Sequence, residues 1–150
     1  MTDQPNKSAA DLLKAARLVT APETFAVVRL SERQWTEVLS DPAASPRMSA
    51  PFMIFKDPFE ITLVLDETDL GSLTRAVPEA QTERGYRLLT FDVVLGFGIT
   101  GVLAEITRVL ALHGIPVLAL SSFSRDHLLI KQVDLARSLI ALGELVDEVC

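Results

Sequence analysis

The sequence predicts an α+β fold made of two copies of one small unit, on three observations. Residues 25–76 and 86–142 follow the same order of strand, helix, strand, strand, helix. Residues 59–65 alternate, with Phe59, Ile61, Leu63 and Leu65 on one side and Glu60 and Thr62 on the other, as in a half-buried strand. Only Phe123–Asp126 separates two apolar strands, too little chain for a parallel crossover, so these strands form an antiparallel hairpin.

The elements follow in order. Residues 8–19 read as an amphipathic helix, with Ser8 and Asp11 as a capping box and Leu12, Ala16 and Val19 on one face. It can cover a sheet edge, pack on a partner chain or dock loosely. Phe25–Leu30 is a valine-rich strand. Ser31 caps a helix carrying Trp35, Val38 and Leu39 at helical spacing. Residues 41–51 hold three prolines and form a loop. Phe52–Phe55 and Phe59–Leu65 flank Lys56-Asp57-Pro58 as a hairpin. Asp69–Ala76 is a short helix, and the polar residues 79–85 read as a linker.

From Tyr86 a strand leads into Gly96-Phe97-Gly98-Ile99-Thr100-Gly101, and Thr100 is the expected cap of the next helix. Val102, Leu103, Ile106, Val109 and Leu110 give that helix an apolar stripe. His113-Gly114 closes it, because glycine suits the left-handed position after a helix end. Strands at Ile115–Leu120 and His127–Lys131 follow, then a helix over Leu135–Leu142 with Asp134 as its cap and Gly143 as its stop. Residues 143–150 add either a final strand or a last helical turn. The expected division is an N-terminal helical extension over 1–24, a first unit over 25–80 and a second over 81–150.

Composition excludes several function classes. The net charge is −6 with no run of Lys or Arg, so nucleic acid is not an expected partner. No apolar run approaches the roughly 20 residues that span a bilayer, so no membrane partner is expected. The N-terminus lacks a basic-then-apolar signal pattern, which reads as cytoplasmic. The single cysteine, Cys150, excludes an intrachain disulfide, and two histidines are too few for a Cys/His zinc site.

The glycine loop has the spacing of a dinucleotide fingerprint, but the chain around it does not build that site. The acid expected after the second strand is replaced by Ser121-Ser122-Phe123-Ser124-Arg125, and the following hairpin rules out a doubly wound parallel sheet. No nucleotide or other cofactor is expected. A helix start with free N–H groups favours a carboxylate by about 0.3–2 kcal/mol. A micromolar ligand needs about 8 kcal/mol, so an ammonium partner and an apolar wall must contribute. Glycines that merely allow a tight turn are the other reading of the same loop. Asp126, His127 and the nearby serines lie on alternating faces and do not suggest a hydrolytic triad. No enzyme activity is expected.

Four stretches resemble a known family: FAVVRL (25–30), FMIFKDPFEITLVL (52–65), TGVLAEITRVLA (100–111) and ALSSFSRDHLLIKQVDL (119–135). They resemble the ACT domain, a small regulatory module of ferredoxin-like fold that binds amino acids. More narrowly, they resemble the compact tandem-ACT proteins related to aspartate kinase regulatory domains and to CASTOR-type sensors. The resemblance implies two units with antiparallel sheets, helices packed on one face, and a ligand at an interface between ACT units. It implies that Gly98, Ile99, Thr100, Gly101 and Val102 take the ligand carboxylate. It places Ser121, Ser122, Phe123 and Asp126 at the ligand's ammonium and side chain. Gly96 and Gly98 stand where relatives carry larger polar residues. The expected function is a regulatory protein that senses a free amino acid or similar small ligand and acts through a homodimer or a regulated partner. The alternative is a ligand-free module for assembly.

Overall fold

The structure, a computed structural model, describes residues 7–150. The chain divides into two compact units. One is Glu23–Tyr86; the other joins the described residues up to Pro22 with Arg87–Cys150.

The central unit starts with β2 (Phe25–Leu30), the second strand of the chain, whose bounds are those the sequence predicts. It continues with α2 (Glu32–Ser40), β3 (Met53–Lys56), β4 (Ile61–Asp66) and α3 (Glu67–Ala76). The first half of β5 (Gln81–Asp92) completes it. The strands lie in the order β3-β4-β2-β5 and every pairing is antiparallel. Period-2 alternation sends Ala26, Val28 and Leu30 of β2 and Ile61, Leu63 and Leu65 of β4 to one face, against Val38 of α2 and Leu70 and Leu73 of α3. Ser31 forms the full capping box with Gln34 that starts α2. Phe59 falls outside β4 and stays exposed, although its spacing matches the buried residues.

The other unit contains α1 (Ala9–Ala15), β1 (Arg17–Thr20), the second half of β5, α4 (Val102–Leu112), β6 (Leu118–Ser121), β7 (Asp126–Lys131), α5 (Leu135–Leu142) and β8 (Glu148–Val149). β6 pairs antiparallel with β7, β7 pairs with β5, β5 pairs antiparallel with β1, and β1 pairs parallel with β8. Leu18, Leu89, Phe91, Leu128 and Ile130 from the strands pack against Leu13, Ile106, Leu110 and Leu142 from the three helices. Each unit thus has the predicted ferredoxin-like plan of mostly antiparallel strands with helices on one face.

Three local expectations are corrected. The N-terminal helix stops at Ala15, and residues 17–20 form a strand. As a strand, this segment places Leu18 in the core at 0% exposure, a tertiary gain that overrides the helical spacing of Val19. Residues 81–85 are not a linker but the start of β5. They read as polar because antiparallel strands can leave one face in water. The cap of α4 is Gly101, not Thr100. Asp134 holds the expected N-cap position of α5 but makes no side-chain cap hydrogen bond; its carboxylate instead accepts from Arg137 at 2.6 Å. Residues 148–149 form the short strand β8.

The helix end at His113-Gly114 is as expected. Gly114 lies at φ 65°, its N–H donates to the Ala111 carbonyl, and Ile115 N–H donates to the Leu110 carbonyl. These two bonds are those of a Schellman motif.

Candidate ligand site

Strand β5 ends at Asp92, and the chain then runs through the glycine loop into α4. Leu95 N–H donates to the Ser124 carbonyl at 2.8 Å, which ties this loop to the β6–β7 turn. Ile99 N–H donates back to the Gly96 carbonyl at 3.1 Å and forms a turn inside the loop. Gly101 then adopts φ 92°, a conformation that residues with a side chain rarely take. A Cβ at Gly101 would meet Ala9 Cβ at 3.6 Å, an ordinary contact, so the backbone angle requires glycine and space does not.

The first intrahelical bond at this end runs from Glu105 N–H to the Gly101 carbonyl at 3.0 Å. The N–H groups of Val102, Leu103 and Ala104 therefore have no partner within the helix. These residues line a cavity of about 280 Å³ between the glycine loop and the β6–β7 turn.

Of the residues predicted for a ligand, Ile99, Gly101, Val102, Ser121, Ser122, Phe123 and Asp126 line this cavity together; Gly98 and Thr100 lie in the same loop but not in its lining. Leu95, Phe97, Leu103 and Arg125 also line it and were not predicted. Phe97 carries a sequence signal of its own, a large aromatic residue set between Gly96 and Gly98. It meets Phe123 edge to face, with ring centroids 4.9 Å apart and planes at 76°.

Arg125 and Asp126 differ in charge environment. Arg125 Nε donates to Asp92 at 2.9 Å, and Arg17 donates to the other oxygen of Asp92 at 2.9 Å. Hydrogen bonds from Arg17 and then Arg125 hold the Asp92 carboxyl below its ordinary range. Asp126 accepts a hydrogen bond from the Ser121 hydroxyl at 2.7 Å.

The sequence expectation is that Asp126, His127 and the nearby serines do not converge as a triad. The hairpin turn brings Ser122 Oγ to 2.9 Å from His127 Nε2. The pair is nonetheless not poised for hydrolysis. Ser122 donates its own proton to the Arg125 carbonyl at 3.2 Å, so it accepts from Nε2–H. His127 Nδ1 then accepts from Thr90 Oγ1 at 2.8 Å, where a triad would place a carboxylate. Burial holds the His127 pKa below its ordinary value, opposed in part by Asp126.

A second hollow, of about 460 Å³, lies on the strands of the central unit between Arg29, Glu60, Thr62 and Gln81. It is wider but polar. Its one cation, Arg29, is already engaged by Glu60 and Gln81. Among the described residues no group of three or more His, Cys, Asp or Glu could hold a metal ion, and no helix is long and apolar enough to cross a membrane.

No curated protein sequence matches the chain. Among solved structures, a protein from Agobacterium tumefaciens is similar at 20% identity and TM-score 0.67, over 91% of this chain and 92% of that one. A Vibrio cholerae protein described as a possible transport protein is similar at 22% identity and TM-score 0.67, over 92% and 95% of the two chains. The ligand-free regulatory subunit of aspartate kinase from Thermus thermophilus is similar at 11% identity and TM-score 0.66, over 89% and 98%. These similarities establish a shared fold. The family profile described as the ACT domain matches residues 81–144, which span the glycine loop, α4 and the β6–β7 turn. Residues 81–144 thus match the ACT-domain family.

Proposed function

We propose that this protein is a regulatory sensor of a free amino acid, with the ligand held in the cavity between the glycine loop and the β6–β7 turn. The observation that carries the reading is the meeting there of two opposite preferences. The first turn of α4 offers N–H groups without intrahelical partners, which favours a carboxylate. Across the cavity Asp126 offers a carboxylate, which favours an ammonium. An α-amino acid carries both groups. Gly98 and Thr100 shape the loop, while Ile99, Gly101, Val102, Ser121, Ser122 and Phe123 form its walls. A second copy's ACT unit would close the open side, as in the tandem-ACT proteins the sequence resembles. Ligand-dependent packing at that interface would then be read by a regulated partner. The similarity to an aspartate kinase regulatory subunit supports a binding role rather than a catalytic one.

The test is thermal unfolding with each of the twenty amino acids at millimolar concentration. A ligand at about a hundred times its Kd should stabilise by about 2.7 kcal/mol, several degrees for a chain of this size. The shift should vanish in Asp126→Ala and in Gly101→Asp. No shift with any amino acid would refute the reading.

A second reading, assembly without a ligand, is favoured by one observation. β3 ends the strand order of its unit and carries exposed Ile54 and Phe55, with Phe59 exposed in the turn that follows. If this edge holds copies together, Ile54→Lys should lower the mass measured by sedimentation, whether or not amino acids are present. An unchanged mass would refute it.

A further inference from the structure

We infer that the cavity selects an amino acid with a large, uncharged, apolar side chain and discriminates against acidic and basic ones. This rests on the amino-acid reading above and specifies its ligand.

The charges come first. Arg125 and Asp126 are the charged residues of the lining. Arg125 is committed to Asp92, whose other oxygen is taken by Arg17. Asp126 has a hydrogen bond from Ser121 and no ion-pair partner among the described residues. The cavity therefore presents one carboxylate that no ion pair engages. The ligand's own ammonium satisfies it. A second cation on the ligand would find no second carboxylate. An acidic side chain would face Asp126, and Arg125, the cation of the lining, already donates its Nε to Asp92.

The walls point the same way. Leu95, Ile99 and Leu103 form an apolar side. Phe97 and Phe123 stand beside it, 72% and 70% exposed, on two different loops, yet packed edge to face. Two large aromatic side chains left in water are costly unless something covers them in the working state. An apolar side chain laid against this pair removes that surface from water. Edge-to-face geometry also leaves ring faces open for a third ring or a branched aliphatic group. The volume of about 280 Å³ leaves room for such a group beside the α-amino and carboxylate ends.

The experiment is isothermal titration at neutral pH with phenylalanine, leucine and methionine against lysine, arginine, aspartate and glutamate. The apolar set should bind at least about ten-fold tighter than the charged set. Phe97→Ala and Phe123→Ala should each weaken apolar binding by about ten-fold, and Phe97→Leu should restore part of it. Both phenylalanines are exposed, so circular dichroism should show these variants folded. Asp126→Asn should weaken phenylalanine more than phenylpropionate, which lacks the ammonium. A charged amino acid that binds more tightly than the apolar set would overturn the inference and leave amino-acid sensing intact. Unchanged apolar affinity in both alanine variants would do the same. Absence of binding by every amino acid to the folded protein would overturn both.

Discussion

Two residues beside the cavity make the most direct tests at the scale of single side chains. Gly101 is needed for its φ of 92° and not for lack of space. Gly101→Ala should therefore lower stability by about 1–2 kcal/mol, measured by denaturant unfolding. Gly98 has open space around it and no positive φ, so Gly98→Ala serves as the control and should change little. His127 has both ring nitrogens engaged, and burial lowers its pKa in the folded state. A lowered histidine pKa means the unfolded chain takes up the proton first as pH falls. The contribution of neutral His127 to stability is thus full above about pH 6.5 and is lost as pH drops through the folded-state pKa. Urea unfolding followed over this range should show that loss, and His127→Gln should flatten it. A slope unchanged by the substitution would assign the effect to other groups.

Helix starts and strands were legible where a local rule and the tertiary fold agreed. The Ser31 and Ser8 capping boxes, β2, the buried residues of β4, and the Schellman end at Gly114 all follow from neighbours a few residues apart. For that reason Ser31→Ala should cost about 1 kcal/mol, read from the unfolding midpoint. β1 and the first half of β5 were not legible. RLVT follows a helix without a glycine or proline to mark the break, and becomes a strand because β5 and β8 offer it partners on both sides. QTERG contains no apolar alternation, and becomes a strand because β2 pairs with it. The candidate site divides along the same line. The loop and the turn were visible as motifs, and the ACT resemblance placed them together. The clamp of Arg125 by Asp92, the Ser122–His127 pair and the Phe97–Phe123 contact depend on residues brought together by folding, so no spacing announced them.

At the scale of the whole molecule, the chain makes its first described helix and strand, builds the entire Glu23–Tyr86 unit, and then returns to finish the unit it began. Leu12, Leu13, Ala16 and Leu18 are at most 1% exposed, and Asp147 and Cys150 N–H groups donate to the Lys14 and Leu18 carbonyls. Burying each such leucine contributes about 1.5–3 kcal/mol, and a small domain has only about 5–15 kcal/mol in all. The segment matched as an ACT domain begins at residue 81, after these residues have been made. Similarity therefore marks out a stretch that is not a cutting pattern. Excised as residues 81–150, it should give a species without a cooperative melt, and a peptide of residues 7–22 added in trans should restore one. If the excised piece melts cooperatively alone, the early segment is dispensable. Otherwise, anyone who wishes to transplant this module into another protein must carry both of its separated pieces, or rejoin them in a new order.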